Sequence, residues 1–278
     1  MTCPLCDGTG WQTLERDGVR RAMRCPCWRG ESAARQLGEA RIPRRYQHCD
    51  FDNFRDYNES LRRAKARARK LVDDFPVVER GLFLEGDPGV GKTHLAVAVL
   101  RHVVAEKHAH ALFYDTRDLL KLIRNTYDPV VRTTELDILR PVMAADLLVL
   151  DDLGAEKTSE WVEETLNLIV NTRYNERRTT IFTSNYPDRP DREDPLTLVC
   201  RVGVRMHSRL HEMCEFLNLD AADYRMEHAS QSTDDELVQL WKRQRDGRRV
   251  SAVRPAPAKA QLRDSKLDLK WPGGRAGT

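Results

Sequence analysis

The sequence lacks the long apolar run that a membrane-spanning helix needs. None of its 278 residues belongs to a segment that approaches the ~18–20 consecutive apolar residues required. The strongest apolar runs cover only residues 95–100 and 147–150. The first residues, MTCPLC, also lack the basic segment and apolar stretch of a secretory signal. We therefore predict a cytoplasmic protein with no membrane partner.

Cysteine is scarce, and the odd total of seven argues against a disulfide framework. Four cysteines crowd the first 27 residues, where a C-x-x-C pair precedes a C-x-C pair. Four thiolates suit a closed, structural Zn²⁺ site, and a segment this short has no apolar core to stabilise it without metal. The alternatives are reduced free thiols, or His48 or Cys49 as a ligand in place of Cys27. The four predicted zinc ligands are Cys3, Cys6, Cys25 and Cys27.

Charge of one sign is not in excess overall, since the net charge is +3, but it is unevenly distributed. Residues 241–278 hold eleven Lys or Arg and three acids, which favours contact with a polyanion such as DNA. The same stretch is rich in Pro and Gly, so a solvated, disordered tail is the alternative. Residues 59–74 predict a helix, and six of the ten residues 61–70 are basic. We interpret that basic face as a solvated helix surface.

From residue 81 onward, short apolar runs alternate with helical patterns, and the sequence contains no internal repeat. This alternation predicts an α/β fold in which helices flank both faces of a parallel sheet. Residues 31–60 resemble a connector. The predicted strands are residues 81–86, 111–116, 146–154, 179–185 and 214–219. The predicted helices are residues 93–106, 118–124, 135–143, 159–177, 196–213 and 234–245.

A glycine-rich loop lies between the first of these strands and the helix after it. It matches G-x-x-x-x-G-K-[ST], in which glycines let several backbone N–H groups point at one phosphate. The following helix presents its positive dipole end to the same anion. Lys92 is expected to reach the β- and γ-phosphates, and Thr93 to offer its hydroxyl to Mg²⁺. The loop consists of Gly86, Asp87, Pro88, Gly89, Val90, Gly91, Lys92 and Thr93.

Two adjacent acids, Asp151 and Asp152, end the third predicted strand. We expect this strand to lie beside the strand of the phosphate loop, so that its end faces the triphosphate. Asp151 would then hold Mg²⁺ through water, and Asp152 would orient or deprotonate the attacking water. Because Glu is common at the second position in related ATPases, Glu156 is an alternative base.

Further along the chain, one amide and three arginines are candidates for contacts with the γ-phosphate. Asn185 ends the fourth strand, where a neutral amide can hydrogen-bond the phosphate or the lytic water. Arg201, Arg205 and Arg209 follow at intervals of four residues and are expected on one helix face. An arginine donated to a neighbouring subunit would stabilise transition-state charge. A solvated helix face and a turn-forming Asn are the alternatives.

These motifs together resemble the AAA+ ATPases of the DnaC/DnaI helicase-loader and IstB transposition-helper group. The resemblance covers residues 42–225 and includes GDPGVGKT, LLVLDDLG, NTRYNERR, TTIFTSN, SRL and ADYR, with IPRRY and FDNF before the core. It implies that residues 86–93 are Walker A and that residues 151–152 are Walker B. It also implies that Asn185 is sensor 1 and that Arg209 is an arginine finger, with Arg205 as the alternative. Arg225 is a candidate for a sensor-2-like role.

The resemblance also implies function. Members bind and hydrolyse ATP with Mg²⁺ in homo-oligomers, and loaders bind single-stranded DNA and a DnaB-type replicative helicase. IstB-like helpers act instead with a transposase on duplex DNA, and a P-loop kinase is a third possibility. DnaI-like loaders carry a zinc-binding N-terminal domain, so the cysteine module favours a loader. We expect a zinc module at 1–35, an AAA+ ATPase domain at 36–230, and a helix with a basic, disordered tail at 231–278.

Overall fold

Five parallel strands form the central sheet of the computed structural model, which describes residues 3–7, 9–16, 19–25, 27–156, 159–191, 193–225 and 233–251. Residues 252–278, which hold much of the predicted basic tail, lie outside the described residues. An antiparallel hairpin of two strands precedes the sheet. The strands are β1 (Trp11–Arg16), β2 (Val19–Arg24), β3 (Gly81–Glu85), β4 (Ala111–Asp115), β5 (Leu147–Asp151), β6 (Thr179–Ser184) and β7 (Cys214–Asn218).

Nine α-helices occur in these described ranges, and none of them combines the length and apolarity that crossing a membrane requires. A single 3₁₀ turn, Arg44–Tyr46, lies between the first two helices. The helices are α1 (Cys27–Glu39), α2 (Glu59–Asp74), α3 (Lys92–Lys107), α4 (Thr116–Asn125), α5 (Glu135–Ala144), α6 (Glu160–Asn175), α7 (Leu198–Val202), α8 (Val204–Met213) and α9 (Asp234–Ser251).

Both faces of the sheet are covered, as the apolar strands predict. Alternate residues of β3 point to opposite sides, so that Leu84 packs in one core cluster and Phe83 in the other. Leu95 of α3 belongs to the first cluster, and Ile169 of α6 belongs to the second. All five residues of β5 are buried. The predicted α/β fold with a helix-flanked parallel sheet is confirmed.

The strand order differs from the expectation in one respect that matters for the site. The order is β4-β5-β6-β3-β7, so β6 lies between the phosphate-loop strand β3 and the acidic strand β5. Leu82 of β3 pairs with Ile181, and Val149 of β5 pairs with the same residue from the other side. The prediction that β3 and β5 are neighbours was wrong, because uniformly apolar strands carry no local signal of which strand lies next to which.

The helix predicted over residues 196–213 is two helices. Gly203 has a φ of 80° and separates α7 from α8. A φ in this region interrupts helical geometry and suits glycine. Arg201 therefore belongs to a different helix from Arg205 and Arg209, and the expectation of one face with three arginines was wrong.

The N-terminal segment contains more regular structure than the connector that the sequence indicates for residues 31–60. The β1–β2 hairpin places residues 11–16 opposite residues 19–24. Helix α1 then packs against α3 and β4. At its end, the carbonyl of Ala40 accepts a 2.8 Å hydrogen bond from the amide of Phe113, on the edge strand β4. The start of the chain is thus attached to the sheet edge by backbone pairing.

Helix α2 carries the basic face noted in the sequence, and many of those charges are paired. Arg67 contacts Glu215, Lys65 lies 3.4 Å from Asp56, and Arg69 lies 3.2 Å from Asp52. The opposite face buries Leu61, Ala64, Ala68, Leu71 and Val72 in the core. Helix α2 is therefore an amphipathic, core-covering helix whose basic side is largely compensated by acids.

A buried arginine ties α6 to the sheet and to α5. Arg173 is 1% exposed, and burial lowers its pKa to about 9. Its guanidinium donates to the hydroxyl of Thr180 at 2.9 Å and to four backbone carbonyls. Three of those carbonyls belong to the C-terminal end of α5, where a helix has no internal donors for them. The four carbonyl groups are those of Val142, Met143, Ala145 and Thr179.

Replacing Arg173 by Met should lower the free energy of unfolding by about 3–5 kcal/mol. Methionine keeps most of the buried stem volume but leaves the buried carbonyls without their donor. Urea unfolding followed by circular dichroism measures the change. Arg140→Met, at an exposed position of α5, is the control and should shift stability by about 0.5 kcal/mol or less. Equal stabilities for the two variants would contradict this role of Arg173.

Candidate nucleotide-binding and hydrolysis site

The glycine-rich loop connects β3 to α3 with backbone angles that favour glycine. Gly86 has a φ of 143°, and a Cβ there would lie 2.3 Å from the carbonyl oxygen of Leu219. Gly89 has a φ of 82°, and a Cβ there would lie 1.6 Å from a carboxylate oxygen of Asp223. The segment after β7 therefore packs directly on the loop. Its close approach explains why side chains are excluded at both positions.

Lys92 opens α3 and turns its ammonium group back into the loop. The Nζ atom donates to the carbonyls of Gly86 and Asp87, both at 2.8 Å, and to Oδ1 of Asn185 at 2.7 Å. Burial lowers the pKa of Lys92 to about 8. The ammonium thus lies where a phosphate could replace three neutral acceptors with charged oxygens. The geometry brings Asn185 into direct contact with the loop lysine.

Asp151 ends β5 as a buried carboxylate held by two hydroxyl groups. Thr183 of β6 donates to its Oδ1 at 2.6 Å, and Thr93 of α3 donates to the same oxygen at 2.9 Å. Burial raises the pKa of Asp151 above its ordinary value. An Asp carboxylate beside a Thr hydroxyl is the donor set with which P-loop proteins hold Mg²⁺. The residues present therefore fit a magnesium ion.

Asp152 directly follows with a φ of 59°, in the left-handed region that Asp tolerates better than most residues. Its amide donates to the hydroxyl of Thr183 at 2.9 Å. Its carboxylate accepts from Nδ2 of Asn185 at 2.5 Å and from Arg117 at 3.1 Å. Asn185 thus bridges Lys92 and Asp152. Arg117, on α4, is a site residue that the sequence did not reveal.

A cavity of about 590 Å³ opens over the loop, within the usual size range of ligand pockets. Its walls come partly from segments far from the phosphate motif. Phe54 packs so closely on Gly91 that a Cβ there would lie 2.8 Å from its ring. In the sequence, the only indication of this wall was that IPRRY and FDNF resemble the segment that precedes the core in the related family. The aromatic and imidazole residues of the lining are Tyr46, His48, Phe54, Tyr57, His94 and Tyr224.

Arg225 also lines this cavity, and its positive charge is one of the influences that lower the pKa of Lys92, after burial. The amide of Tyr224 donates to the carbonyl of Gly89 at 3.1 Å, which joins this segment to the phosphate loop. The spacing of ADYR in the sequence did not locate Arg225, whereas the fold brings it to the nucleotide cavity.

The arginines at four-residue intervals have separate environments. Arg201 donates to the carbonyls of Gly154 and Glu156, at 2.7 and 2.8 Å, and lies over the ring of Tyr186. Arg205 is exposed, and Arg209 is half-buried and donates to the carbonyl of Arg205 at 3.3 Å. None of the three lines the described nucleotide cavity. Arg201 therefore supports the loop after β5, whereas Arg205 and Arg209 lie on α8, outside the lining of their own chain's cavity.

Glu156, the alternative base, also lies outside the cavity lining. Burial raises the pKa of its carboxyl group. Within the part of the chain that the structure describes, its Oε2 atom has no hydrogen-bond partner. Its environment is that of a buried acid in the loop held by Arg201, so Asp152 remains our candidate for the base.

The four N-terminal cysteines come together. The Sγ atoms of Cys3 and Cys25 are 3.8 Å apart, those of Cys6 and Cys27 are 3.4 Å apart, and all four lie within 4.8 Å of one another. A tetrahedral site with Zn–S bonds of ~2.3 Å needs sulfur separations of about 3.8 Å. The cluster is therefore compatible with zinc. The spare candidates lie elsewhere, since Cys49 is buried in the core cluster that contains Leu84 and Leu95, and His48 lines the nucleotide cavity.

The β1–β2 hairpin accounts for the approach of the two cysteine pairs. Its strands return the chain so that the amide of Cys25 donates to the carbonyl of Gly10 at 2.9 Å. On the other side, a turn at the start of the chain places the amides of Cys6 and Asp7 on the carbonyl of Cys3. Backbone geometry alone thus brings sulfurs about 20 residues apart in the sequence together.

Residues 27–232 match the protein family described as IstB-like ATP binding protein. The replicative helicase loader DnaC of Buchnera aphidicola subsp. Acyrthosiphon pisum is 27% identical over 151 residues, 54% of this chain and 61% of that protein. The chain thus spans about three fifths of that relative's length. DnaC of Escherichia coli K12 is 27% identical over 181 residues, 64% of this chain and 73% of that protein.

Among solved structures, a crystal structure of the DnaC helicase loader is 35% identical to this chain with a TM-score of 0.57. The match covers 64% of this chain and 99% of that one. The α/β architecture described above is therefore that of a P-loop AAA+ protein.

Binding of ATP should take up a proton above pH 8 through Lys92. In the free protein burial lowers the pKa of Lys92 to about 8, so at pH 9 the amine is mostly neutral. The phosphates favour the charged form, and the triphosphate itself is already ionised there. Affinity should fall by up to about tenfold per pH unit between pH 8 and 10. Titration calorimetry at pH 9, in two buffers of different ionisation enthalpy, measures the uptake.

Two variants test whether Lys92 is the group that takes up the proton when ATP binds. Lys92→Ala should lose tight ATP binding, because the charge on the β- and γ-phosphates is gone while the fold remains. Lys92→Arg stays charged throughout this range, so the binding it retains should show no such uptake. The same proton uptake in Lys92→Arg, or an affinity independent of pH from 7 to 9.5, would contradict the assignment.

Proposed function

The chain belongs to the IstB-like ATP-binding protein family, and we propose that it hydrolyses ATP to load a DnaB-type replicative helicase onto single-stranded DNA. The observation that carries the proposal is the convergence of Lys92, Asp151, Asp152 and Asn185 on one cavity. That cavity occurs in a chain 35% identical to a structure of a helicase loader.

In this proposal, residues 86–93 bind the triphosphate through backbone amides, and Lys92 contacts the β- and γ-phosphates. Thr93 and Asp151 would hold magnesium, which would neutralise charge on the phosphates. The hydroxyl of Thr183 keeps the Asp151 carboxylate oriented, because it donates to the same oxygen as Thr93 does. The aromatic wall around Tyr46 and Phe54 accommodates the base of the nucleotide.

Asp152 orients the attacking water or accepts its proton, and Asn185 positions the γ-phosphate or that water. The bridge from Lys92 through Asn185 to Asp152 supports these roles, since it fixes the amide between the phosphate-binding and the water-activating groups. Arg117 holds the other oxygen of the Asp152 carboxylate. A base held at both oxygens keeps its orientation, which suits chemistry dominated by positioning.

The hydrolysing site is completed by a second copy of the chain. Arg209 lies outside its own chain's cavity lining, on the half-exposed side of α8. We therefore propose that it acts as an arginine finger on the nucleotide of a neighbour in an ATP-dependent homo-oligomer, with Arg205 as the alternative. Arg225, which lines the cavity of its own chain, is proposed as a sensor-2-like contact.

The N-terminal module is the part proposed to bind the helicase. Its four cysteines are compatible with zinc, and a small metal-stabilised domain before the ATPase favours a loader over an IstB-like helper acting with a transposase on duplex DNA. We propose a zinc module at 1–35, an AAA+ domain at 36–230 and a C-terminal part at 231–278. In that last part α9 contacts the core, because Trp241 donates to Asp220 at 2.9 Å.

The loader function is tested with the purified chain, the replicative helicase of the same organism and single-stranded DNA. We expect a stable complex with the helicase in the presence of ATP, and ATPase activity that rises when DNA is added. The helicase should then unwind a substrate coated with single-strand binding protein, which it does not enter alone. Capture of a transposase in place of the helicase, with stimulation by duplex DNA only, would support the IstB-like alternative and contradict the loader proposal.

Arg209→Ala should keep most of its ATP affinity but lose hydrolysis by about 10³-fold or more, as for arginine fingers generally. Asp152→Asn should also bind ATP without cleaving it, for a reason inside its own subunit. When the two variants are mixed, some interfaces pair an intact Asp152 with an intact Arg209, so part of the activity should return. Turnover is measured by phosphate release across mixing ratios.

Arg205→Ala is the matched comparison, because it removes an arginine one helical turn away on α8. If Arg209→Ala alone retains full turnover stimulated by DNA, the assignment is wrong. A loss in Arg205→Ala that is rescued by Asp152→Asn would assign the finger to Arg205. Absence of rescue at every mixing ratio would contradict a site shared between subunits.

A further inference from the structure

A second cluster of metal-ligating side chains lies outside the nucleotide cavity and the cysteine module. It consists of Asp188, four residues after the end of β6, and two histidines of α8, His207 and His211. The Nε2 atom of His207 lies 2.7 Å from one carboxylate oxygen of Asp188, and the Nε2 atom of His211 lies 3.0 Å from the other. All three ligand atoms lie within 4.8 Å of one another.

The spacing of the histidines on α8 makes this convergence possible. Residues four apart lie on one face of a helix, so both imidazoles project toward the same carboxylate. Two imidazoles and one carboxylate form a common ligand set for Zn²⁺ and related divalent transition metals. Bonds of ~2.0–2.1 Å to a tetrahedral ion imply ligand separations of about 3.4 Å. Relative to that separation, the contacts of Asp188 with His207 and His211, at 2.7 and 3.0 Å, would open by about 0.7 and 0.4 Å.

Surrounding groups support two of the three ligands, Asp188 and His211. The amide of Asp188 donates to Oε2 of Glu85 at 2.6 Å, and Glu85 is the residue directly before the phosphate loop. The ring of His211 stacks on Phe216 with centroids 4.1 Å apart and an interplanar angle of 5°. Phe216 in turn stacks on Phe83. Ligand sets that bind metal depend on such support, which is present here before any ion binds.

The cluster also remains open on one side. The side chain of His211 is 43% exposed, whereas those of His207 and Asp188 are about one fifth exposed. An ion can therefore enter from solvent and keep a free position for water.

We propose that Asp188, His207 and His211 form a second metal site, for Zn²⁺ or a closely related divalent transition metal. The ion would cross-link the segment after β6 to α8, the helix that carries Arg205 and Arg209. Binding of the metal is independent of the proposed function. Its further consequence, that the ion fixes the helix bearing the arginine finger, rests on that function.

Metal titration of the full chain tests the site, with Co²⁺ as a spectroscopic probe and Zn²⁺ for affinity. The expected result is two equivalents, because the cysteine cluster takes one ion and this site takes a weaker second ion. Co²⁺ bound by the cysteines should give intense thiolate charge-transfer bands, whereas the second equivalent should add only weak ligand-field bands. A Cys3→Ser/Cys6→Ser variant should lose the intense bands and keep the weak ones.

His207→Gln and His211→Gln should each weaken the second equivalent by about tenfold or more and leave the first unchanged. The matched control is His102→Gln, which removes a histidine that also contacts two carboxylates, Asp50 and Glu106. It should leave both equivalents intact. Asp188→Asn, nearly the same shape, provides a third ligand variant should a histidine variant fold poorly. Circular dichroism verifies folding of each.

The proposal is overturned if no second equivalent binds, or if it binds with equal affinity in the ligand variants and in His102→Gln. Thermal unfolding gives a separate reading, because Zn²⁺ should raise the melting temperature of the Cys3→Ser/Cys6→Ser variant only while the three ligands are present. The same titration in a Lys92→Ala background should still show the second ion. Failure of ATP hydrolysis would thus leave the metal result intact, and the two outcomes remain distinguishable.

Discussion

The carboxylate of Asp151 is buried at the end of β5, and the rest of the nucleotide site is arranged around the two hydroxyls that hold it. Thr183 reaches it from β6 and Thr93 from α3, so three elements meet at one oxygen. This contact is possible because β6 lies between β3 and β5. The carboxyl ends of parallel strands share one edge of the sheet, and the intervening strand supplies the groups that join the two motifs. Asn185, just after β6, joins the two motifs in the same way, because it accepts from Lys92 and donates to Asp152.

Burial shifts the pKa values of Lys92 and Asp151 in opposite directions. It lowers the pKa of Lys92 and raises that of Asp151, because each group is charged in a region of low polarity. A triphosphate and a divalent cation would supply the missing counter-charges, the first to the lysine and the second to the carboxylate. The site is thus electrostatically incomplete without its ligands, and this gives binding a driving force in addition to the loop amides. Lys92 donates to three neutral oxygens, so its charge is left for the phosphates to compensate.

Features set by neighbouring residues could be predicted from the sequence. The phosphate loop follows a glycine pattern, and α6 begins after Ser159, a residue type favoured at helix starts, whose side chain accepts from the amide of Val162. Features set by distant contacts could not. Arg173 belongs to an ordinary helical pattern, and only the packing of α5 and the sheet makes it a buried donor. Arg117 likewise became a site residue through the pairing of β4 with β5. The cavity wall around Phe54 comes from a segment that precedes the alternating strands and helices and folds back onto the phosphate loop.

The break at Gly203 shows how one local feature, weak in the sequence, changes the role of several residues. A continuous helix would have placed Arg201, Arg205 and Arg209 on one face. The positive φ of Gly203 instead ends α7 and begins α8 as a separate helix, so that Arg201 holds the loop after β5 while Arg209 lies outside the cavity lining. The separate helix α8 also brings His207 and His211 to Asp188 in the segment after β6. Helix α8 therefore has one side tied through Asp188 and Glu85 to the start of the phosphate loop, while its arginines lie outside the lining of that chain's nucleotide cavity. In the proposed oligomer, a helix fixed in this way would connect the occupancy of one nucleotide site with the position of the arginines offered to the next.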